Sequence, residues 1–116
     1  MRKIPKAHLK FRDVYPDVAS AYEKLGQATQ EGGPLDKKTR EMVKLAVAVG
    51  TRHEGATHSH TRRALDAGAT AEELRHVALL SLTTLGFPSM MAALTWIEDV
   101  LQEEGEPVLP SPEKDG

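Results

Sequence analysis

Residues 40–65 read REMVKLAVAVGTRHEGATHSHTRRAL, and this stretch decides the fold class. Its first part is apolar at almost every position, and only Glu41 and Lys44 are polar through the centre. This pattern is typical of a helix that other helices cover on most sides. A second helix is expected from about His53 to just before Gly68, because glycine readily adopts the positive φ angle that ends a helix. The sequence therefore predicts a buried central helix followed by a helix rich in histidine.

Cap and turn residues on either side predict further helices. Asp36 suits the N-cap of the central helix, and Thr70-x-x-Glu73 is the pattern of a capping box. Pro16 and Pro88 suit the first turns of an early and a last helix, where the missing N–H costs nothing. No segment alternates polar and apolar residues as a strand does. The fold class expected is all-α, a single-domain bundle of about five helices.

Composition sets the expected limits of this domain. A chain of 116 residues fits one domain, expected here over residues 13–104. Residues 1–12 are basic and are expected to form an extended N-terminal arm. Residues 105–116 are rich in Pro, Glu, Lys and Gly, a composition that favours a flexible tail.

Charge and composition also argue against several classes of function. The net charge of −2 and interleaved basic and acidic residues give no positive field for nucleic acid. The absence of cysteine removes thiol nucleophiles, disulfides and thiolate metal sites. There is no signal-peptide pattern and no apolar run of the ~20 residues that a membrane span needs. We expect a cytoplasmic protein with no nucleic-acid or membrane partner.

Three side chains carry the candidate chemistry. Glu41 lies on the central helix, while His53 and His60 are seven positions apart on the next helix and share a face. Together they place one carboxylate and two imidazoles within reach of one pocket. Each also has an ordinary structural interpretation: Glu41 near the positive end of a helix dipole, His53 as a helix cap or a solvent-facing residue, and His60 as a packed, hydrogen-bonded histidine.

The run 35–101 resembles the carboxymuconolactone decarboxylase and alkyl hydroperoxidase D-like superfamily. Its peroxidase branch has a Glu, eleven residues, then Cys-x-x-Cys-x-x-x-His, and Glu41, His53, Ala56 and His60 occupy those four positions here. The flanking runs ALDAGATAEELRHVALL and LGFPSMMAAL are similar to the family as well. Both cysteine positions are changed, and peroxide reduction needs a thiolate and a resolving thiol. A thiol peroxidase is therefore not expected.

The decarboxylase branch needs no thiol pair, so the resemblance implies a cofactor-free acid–base lyase. Its substrate would be a small carboxylated lactone or keto acid, which is decarboxylated or isomerised. His60 would be the general acid or base, Glu41 the carboxylate that orients it, and His53 a second donor. Arg52 or Arg63 would hold the substrate carboxylate, Arg52 being the better placed.

Two alternatives stay open from the sequence. Glu41, His53 and His60 offer the two nitrogens and one oxygen used by some zinc and iron sites. The chain could also be a non-catalytic oligomeric relative that kept the scaffold after losing the cysteines. The resemblance points to a homotrimer or homohexamer, and the largely apolar central helix favours self-association.

Overall fold

The computed structural model describes residues 6–107, and in this part of the chain the regular structure is helical, with no strand. The helices are α1 (Lys6–Val14), α2 (Pro16–Gln30), α3 (Lys37–Gly50), α4 (Glu54–Asp66), α5 (Ala71–Leu80), α6 (Leu82–Leu85) and α7 (Phe87–Glu103). The all-α class expected from the sequence is confirmed. None of these helices is long and apolar enough to cross a membrane.

The chain divides into two compact units at the Leu35–Asp36 boundary. In the first unit, α1 shows that the extended arm expected for residues 1–12 is wrong for the described residues from Lys6 onward. The segment has no helix breaker, and Phe11 and Tyr15 are spaced so that their rings meet, with centroids 5.5 Å apart. Residues 1–5 lie outside the described part of the chain.

The second unit contains α3 to α7. Here α3 packs against α4, α5 and α7, and α7 also packs against α4 and α5. Leu45, Leu74, Ile97 and Leu101 are fully buried where these helices meet. This core positions α3 and α4 side by side, and those two helices carry the candidate catalytic residues. The tail expected at residues 105–116 falls almost wholly outside the described part, which ends at residue 107.

Local capping residues fix the starts of the helices in this unit. The Asp36 carboxylate accepts a hydrogen bond from the Thr39 backbone N–H at 2.9 Å, as the N-cap of α3. Thr70 and Glu73 form the predicted capping box, each side chain accepting from the other residue's backbone N–H. The helical segment that follows Thr70 is divided at Ser81, where α5 ends and α6 begins.

The burial of α3 differs from the expectation in one respect. Glu41, Leu45 and Ala48 are buried along one side of the helix, as predicted for a central helix. In contrast, Val43 is 47% exposed and Val47 is 61% exposed in the single chain. The apolar pattern indicated burial all round, but α4, α5 and α7 cover only part of this helix.

Candidate functional site

The structure brings Glu41 of α3 and His60 of α4 together. The His60 Nδ1 atom lies 3.0 Å from the Glu41 Oε1 atom, within hydrogen-bond distance. The Glu41 side chain is only 7% exposed and that of His60 is 17% exposed. A carboxylate this far from water is stabilised when a donor is held against it, and the imidazole supplies that donor.

This contact determines which ring nitrogen of His60 is available for chemistry. With Glu41 ionised, Nδ1 must carry the proton that is shared with the carboxylate. The other nitrogen, Nε2, is then a proton acceptor in the neutral ring and a donor in the imidazolium form. A histidine whose tautomer is fixed by a carboxylate in this way is suited to general acid–base catalysis.

His53 has a structural task in addition to any chemical one. It is the N-cap residue of α4, and its Nδ1 atom accepts a hydrogen bond from the Ala56 backbone N–H at 3.0 Å. Because Nδ1 is the acceptor, the proton of the neutral ring is on Nε2. A helix cap was one of the structural roles expected for His53 from its place beside a helix start, although histidine is not among the preferred N-cap residues.

The set of metal ligands considered from the sequence is not assembled. Within residues 6–107, no group of three or more histidine and acidic side chains is arranged to hold a metal ion. The hydrogen bond that the structure gives the His53 ring is to its own helix, whereas Glu41 and His60 bond to each other. The pair thus favours proton chemistry over metal coordination.

Arg52 has an unusual backbone conformation at the end of α3. Its φ angle is +55°, the only positive φ of a residue other than glycine in the described chain. The Arg52 N–H donates to the Val49 carbonyl at 3.0 Å and the His53 N–H donates to the Ala48 carbonyl at 3.1 Å. These two bonds form a Schellman motif, whose left-handed residue is normally glycine. The motif turns the chain from α3 into α4 within three residues.

The Arg52 side chain reaches the first turn of α7. Its Nη1 atom donates to the Ser89 hydroxyl at 3.2 Å. Arg52 was a candidate from the sequence, but neither this contact nor its left-handed backbone was predicted. Residues 37 positions apart give no local signal for such a contact. Arg63, the other candidate for a substrate carboxylate, is exposed on the last turn of α4. The structure gives neither arginine a hydrogen bond to the Glu41–His60 pair.

An open apolar groove lies on another side of α3, between α3, α5 and α6. Its volume is about 600 Å³, and neither Glu41 nor His60 lines it. At one edge, the Lys38 ammonium and the Glu73 carboxylate form an ion pair of 2.8 Å. We call this feature the α3–α5 groove; its apolar lining includes Met42, Val43, Ala46, Val77, Leu80 and Leu85.

Comparison of the sequence with those of known proteins identifies its family. The sequence profile of the carboxymuconolactone decarboxylase family matches residues 16–99, which include Glu41, Arg52, His53 and His60. The chain belongs to the carboxymuconolactone decarboxylase family. The resemblance noted from the sequence is thereby confirmed at the level of the family.

Individual proteins similar to this chain include one described as a member of the family and two uncharacterised proteins. A crystal structure of a carboxymuconolactone decarboxylase family protein from Legionella pneumophila is 32% identical, with a TM-score of 0.71, and the match covers 82% of this chain and 84% of that one. An uncharacterised protein of Methanocaldococcus jannaschii is 27% identical over 75% of this chain and 85% of its own length. An uncharacterised protein of Haemophilus influenzae is 50% identical over 50 residues, 43% of this chain and 44% of that protein. The chain thus matches less than half of the length of this last relative.

Proposed function

We propose that this member of the carboxymuconolactone decarboxylase family is an acid–base lyase that needs no cofactor. Its substrate would be a small carboxylated lactone or keto acid, which it decarboxylates or isomerises. The observation that carries the proposal is the 3.0 Å contact between His60 Nδ1 and the buried Glu41 carboxylate. That contact orients the imidazole and leaves Nε2 to exchange protons with a substrate.

In the decarboxylation we propose, the bond between the substrate's carboxylate carbon and its neighbour breaks and carbon dioxide leaves. The electron pair passes into the adjacent conjugated carbonyl, giving an enolate or dienolate. The His60 imidazolium then donates its Nε2 proton to carbon and is reprotonated by water. Glu41 stabilises the imidazolium through Nδ1 while that proton is held. In the isomerisation, Nε2 instead removes a proton from one carbon and returns it to another.

Two further residues have supporting roles in this proposal. The Nε2–H of His53 would donate a hydrogen bond to the substrate while Nδ1 keeps its cap on α4. The Arg52 guanidinium would exchange its bond to Ser89 for the substrate carboxylate, which a guanidinium can bind through two parallel hydrogen bonds. The cost of a left-handed arginine is consistent with a functional constraint at this position.

We also propose a cytoplasmic location and assembly into a homotrimer or homohexamer. The exposure of the apolar Val43 and Val47 side chains in the single chain supports self-association. A thiol peroxidase activity is not proposed, because the chain has no cysteine.

A second candidate function is that of a non-catalytic member of the family. The observation that favours it is the position of the α3–α5 groove, which has a volume of about 600 Å³ and is not lined by Glu41 or His60. On this reading the Glu41–His60 pair would have only a structural role.

Turnover measurements separate the two candidates. The purified protein would be tested by ultraviolet absorbance against 4-carboxymuconolactone and a panel of related lactones and β-keto acids. His60→Ala and His60→Gln are expected to lower turnover by about 100-fold or more, the usual contribution of a general acid or base. His76→Ala is the matched control, since His76 is an exposed histidine on α5. No turnover of any panel member by the parent protein would favour the non-catalytic function.

A further inference from the structure

Lys44 on α3 is a partly buried cation that has no partner. It makes no hydrogen bond or ion pair within the part of the chain that the structure describes, residues 6–107. The other partly buried Lys and Arg side chains of α3 to α7 each have an ion pair or another polar or electrostatic contact: Lys38, Arg40, Arg62 and Arg75. An ammonium held against the protein surface attracts an anion more strongly than one in bulk water, because the effective dielectric constant is lower there. Lys44 is therefore a cation available to an anionic ligand.

The position of Lys44 in the sequence places it beside the Glu41–His60 pair. Residues three apart on a helix are neighbours on one side, with Cβ atoms about 5–6 Å apart, so Lys44 is next to Glu41. Lys44 is also nearer than Glu41 to the turn between α3 and α4, which carries Arg52 and His53. It does not line the α3–α5 groove, which lies on another side of α3. The lysine thus lies along α3 between the Glu41–His60 contact and that turn.

The decarboxylation proposed above needs positive charge at a place that no residue assigned so far supplies. When carbon dioxide leaves, the electron pair passes to the carbonyl oxygen of the enolate or dienolate, and that oxygen becomes an oxyanion. The His60 Nε2 proton goes to carbon, the Arg52 guanidinium is assigned to a carboxylate, and the His53 ring is neutral. A cation fixed beside the oxyanion would stabilise the charge as it develops in the transition state.

We propose that the Lys44 ammonium is an anion-binding group of this site and holds the oxygen on which the negative charge develops. The inference rests on the lyase function proposed above. In the step, the bond to the carboxylate carbon breaks and the electron pair moves to the carbonyl oxygen beside Lys44 Nζ. When His60 protonates the carbon, the carbonyl group forms again, so Lys44 keeps its protons throughout. The substrate is then an anion whose carboxylate is β to a carbonyl, or conjugated with one, that can reach Lys44.

Lys44→Met tests this role, because methionine keeps most of the apolar stem of lysine and removes the charge. Lys38→Met is the matched control, since it removes a partly buried lysine of the same helix whose ammonium is paired with Glu73. The probe is 4-hydroxy-3-nitrobenzoate at mildly alkaline pH, whose coloured phenolate is a stable mimic of an enolate oxygen. Its affinity, measured by absorbance and by calorimetry, is expected to be at least about tenfold weaker for Lys44→Met than for the parent and Lys38→Met, the scale of a hydrogen bond to a charged group.

Turnover separates this proposal from that of the lyase. For any panel substrate that the parent turns over, Lys44→Met is expected to lower kcat by about 100-fold or more with little change in KM, and Lys44→Arg, which keeps a cation, to recover part of the loss. An unchanged kcat in Lys44→Met would overturn the role of Lys44 and leave the lyase in place. Equal affinity of the parent and Lys44→Met for the probe, or no binding by the parent, would also overturn it. Binding that depends on Lys44, in a parent that turns over no substrate, would support the anion site and contradict only the lyase.

Discussion

Replacing Arg52 by glycine and by alanine in parallel would measure the strain in the turn between α3 and α4. Both variants lack the guanidinium, so they lose the bond to Ser89 equally. They differ in the cost of a φ angle of +55°, which glycine adopts freely and alanine does not. We expect Arg52→Gly to be the more stable of the two.

The magnitude follows from two opposing terms. A left-handed conformation costs a residue with a Cβ atom about 1–2 kcal/mol. Relative to alanine, glycine loses about 0.4–1 kcal/mol of this advantage, because the unfolded chain with glycine has a higher conformational entropy. The expected difference in the free energy of unfolding is therefore about 0.5–1 kcal/mol in favour of Arg52→Gly. For a domain of this size that corresponds to a Tm difference of about 2–4 °C.

Urea denaturation followed by circular dichroism would measure this difference. Ser89→Ala is the control, because it removes the hydrogen bond to Arg52 while keeping the left-handed arginine. If Arg52→Ala proved as stable as Arg52→Gly, the argument from backbone strain would be refuted. Should the lyase activity be found, both Arg52 variants are expected to raise KM more than they lower kcat, since carboxylate binding is lost in ground and transition state alike.

Three other predictions concern the helix caps and the core. His53→Ala is expected to lower the free energy of unfolding by about 1 kcal/mol through loss of the α4 cap, whereas His53→Asn keeps a capping acceptor and should stay near the parent value in urea denaturation. Leu45→Ala is expected to cost about 3–5 kcal/mol in the same assay, because Leu45 is fully buried; a loss below about 1 kcal/mol would contradict its place in the core. The pKa of the Asp36 carboxyl is lowered from its usual 3.8, because the Thr39 side chain and, to a smaller extent, the Thr39 backbone N–H donate hydrogen bonds to it. Ionised Asp36 therefore stabilises the folded chain fully above pH 3.8. This stabilisation is lost as the pH falls through the lower pKa of the folded state. Denaturation curves recorded at falling pH should therefore show a smaller acid loss for Asp36→Asn than for the parent, and equal losses would speak against this pKa shift.

Local features of the fold were predictable from the sequence. The Asp36 cap, the Thr70–Glu73 capping box and the Gly68 helix end each depend on a few neighbouring residues, and the structure has all three. The α1 helix was missed because its basic side chains suggested an arm, although charge does not oppose helix formation.

Features that depend on distant contacts were harder to predict. The apolar pattern of α3 indicated that a single chain would leave part of this helix uncovered, but it could not show that Val43 and Val47 are the residues left exposed. Helical spacing together with the family motif directed attention to Glu41 and His60, which the structure brings to 3.0 Å. The position of His53 beside a helix start indicated a cap as one of its roles, whereas no local pattern indicates that Arg52 bonds to Ser89.

The Glu41–His60 contact also bears on how α3 aligns with α4. Apart from Glu41, the buried residues of these two helices are apolar or small, and such surfaces tolerate several alignments of similar energy. Sliding α4 by one turn, about 5.4 Å, would break the turn that joins it to α3 and leave the buried carboxylate without its partner. An unpaired buried charge costs about 3–5 kcal/mol, enough to select one alignment. Replacing both residues with apolar ones would remove this cost, and the three-residue turn between α3 and α4 would then be left to hold the register of the two helices.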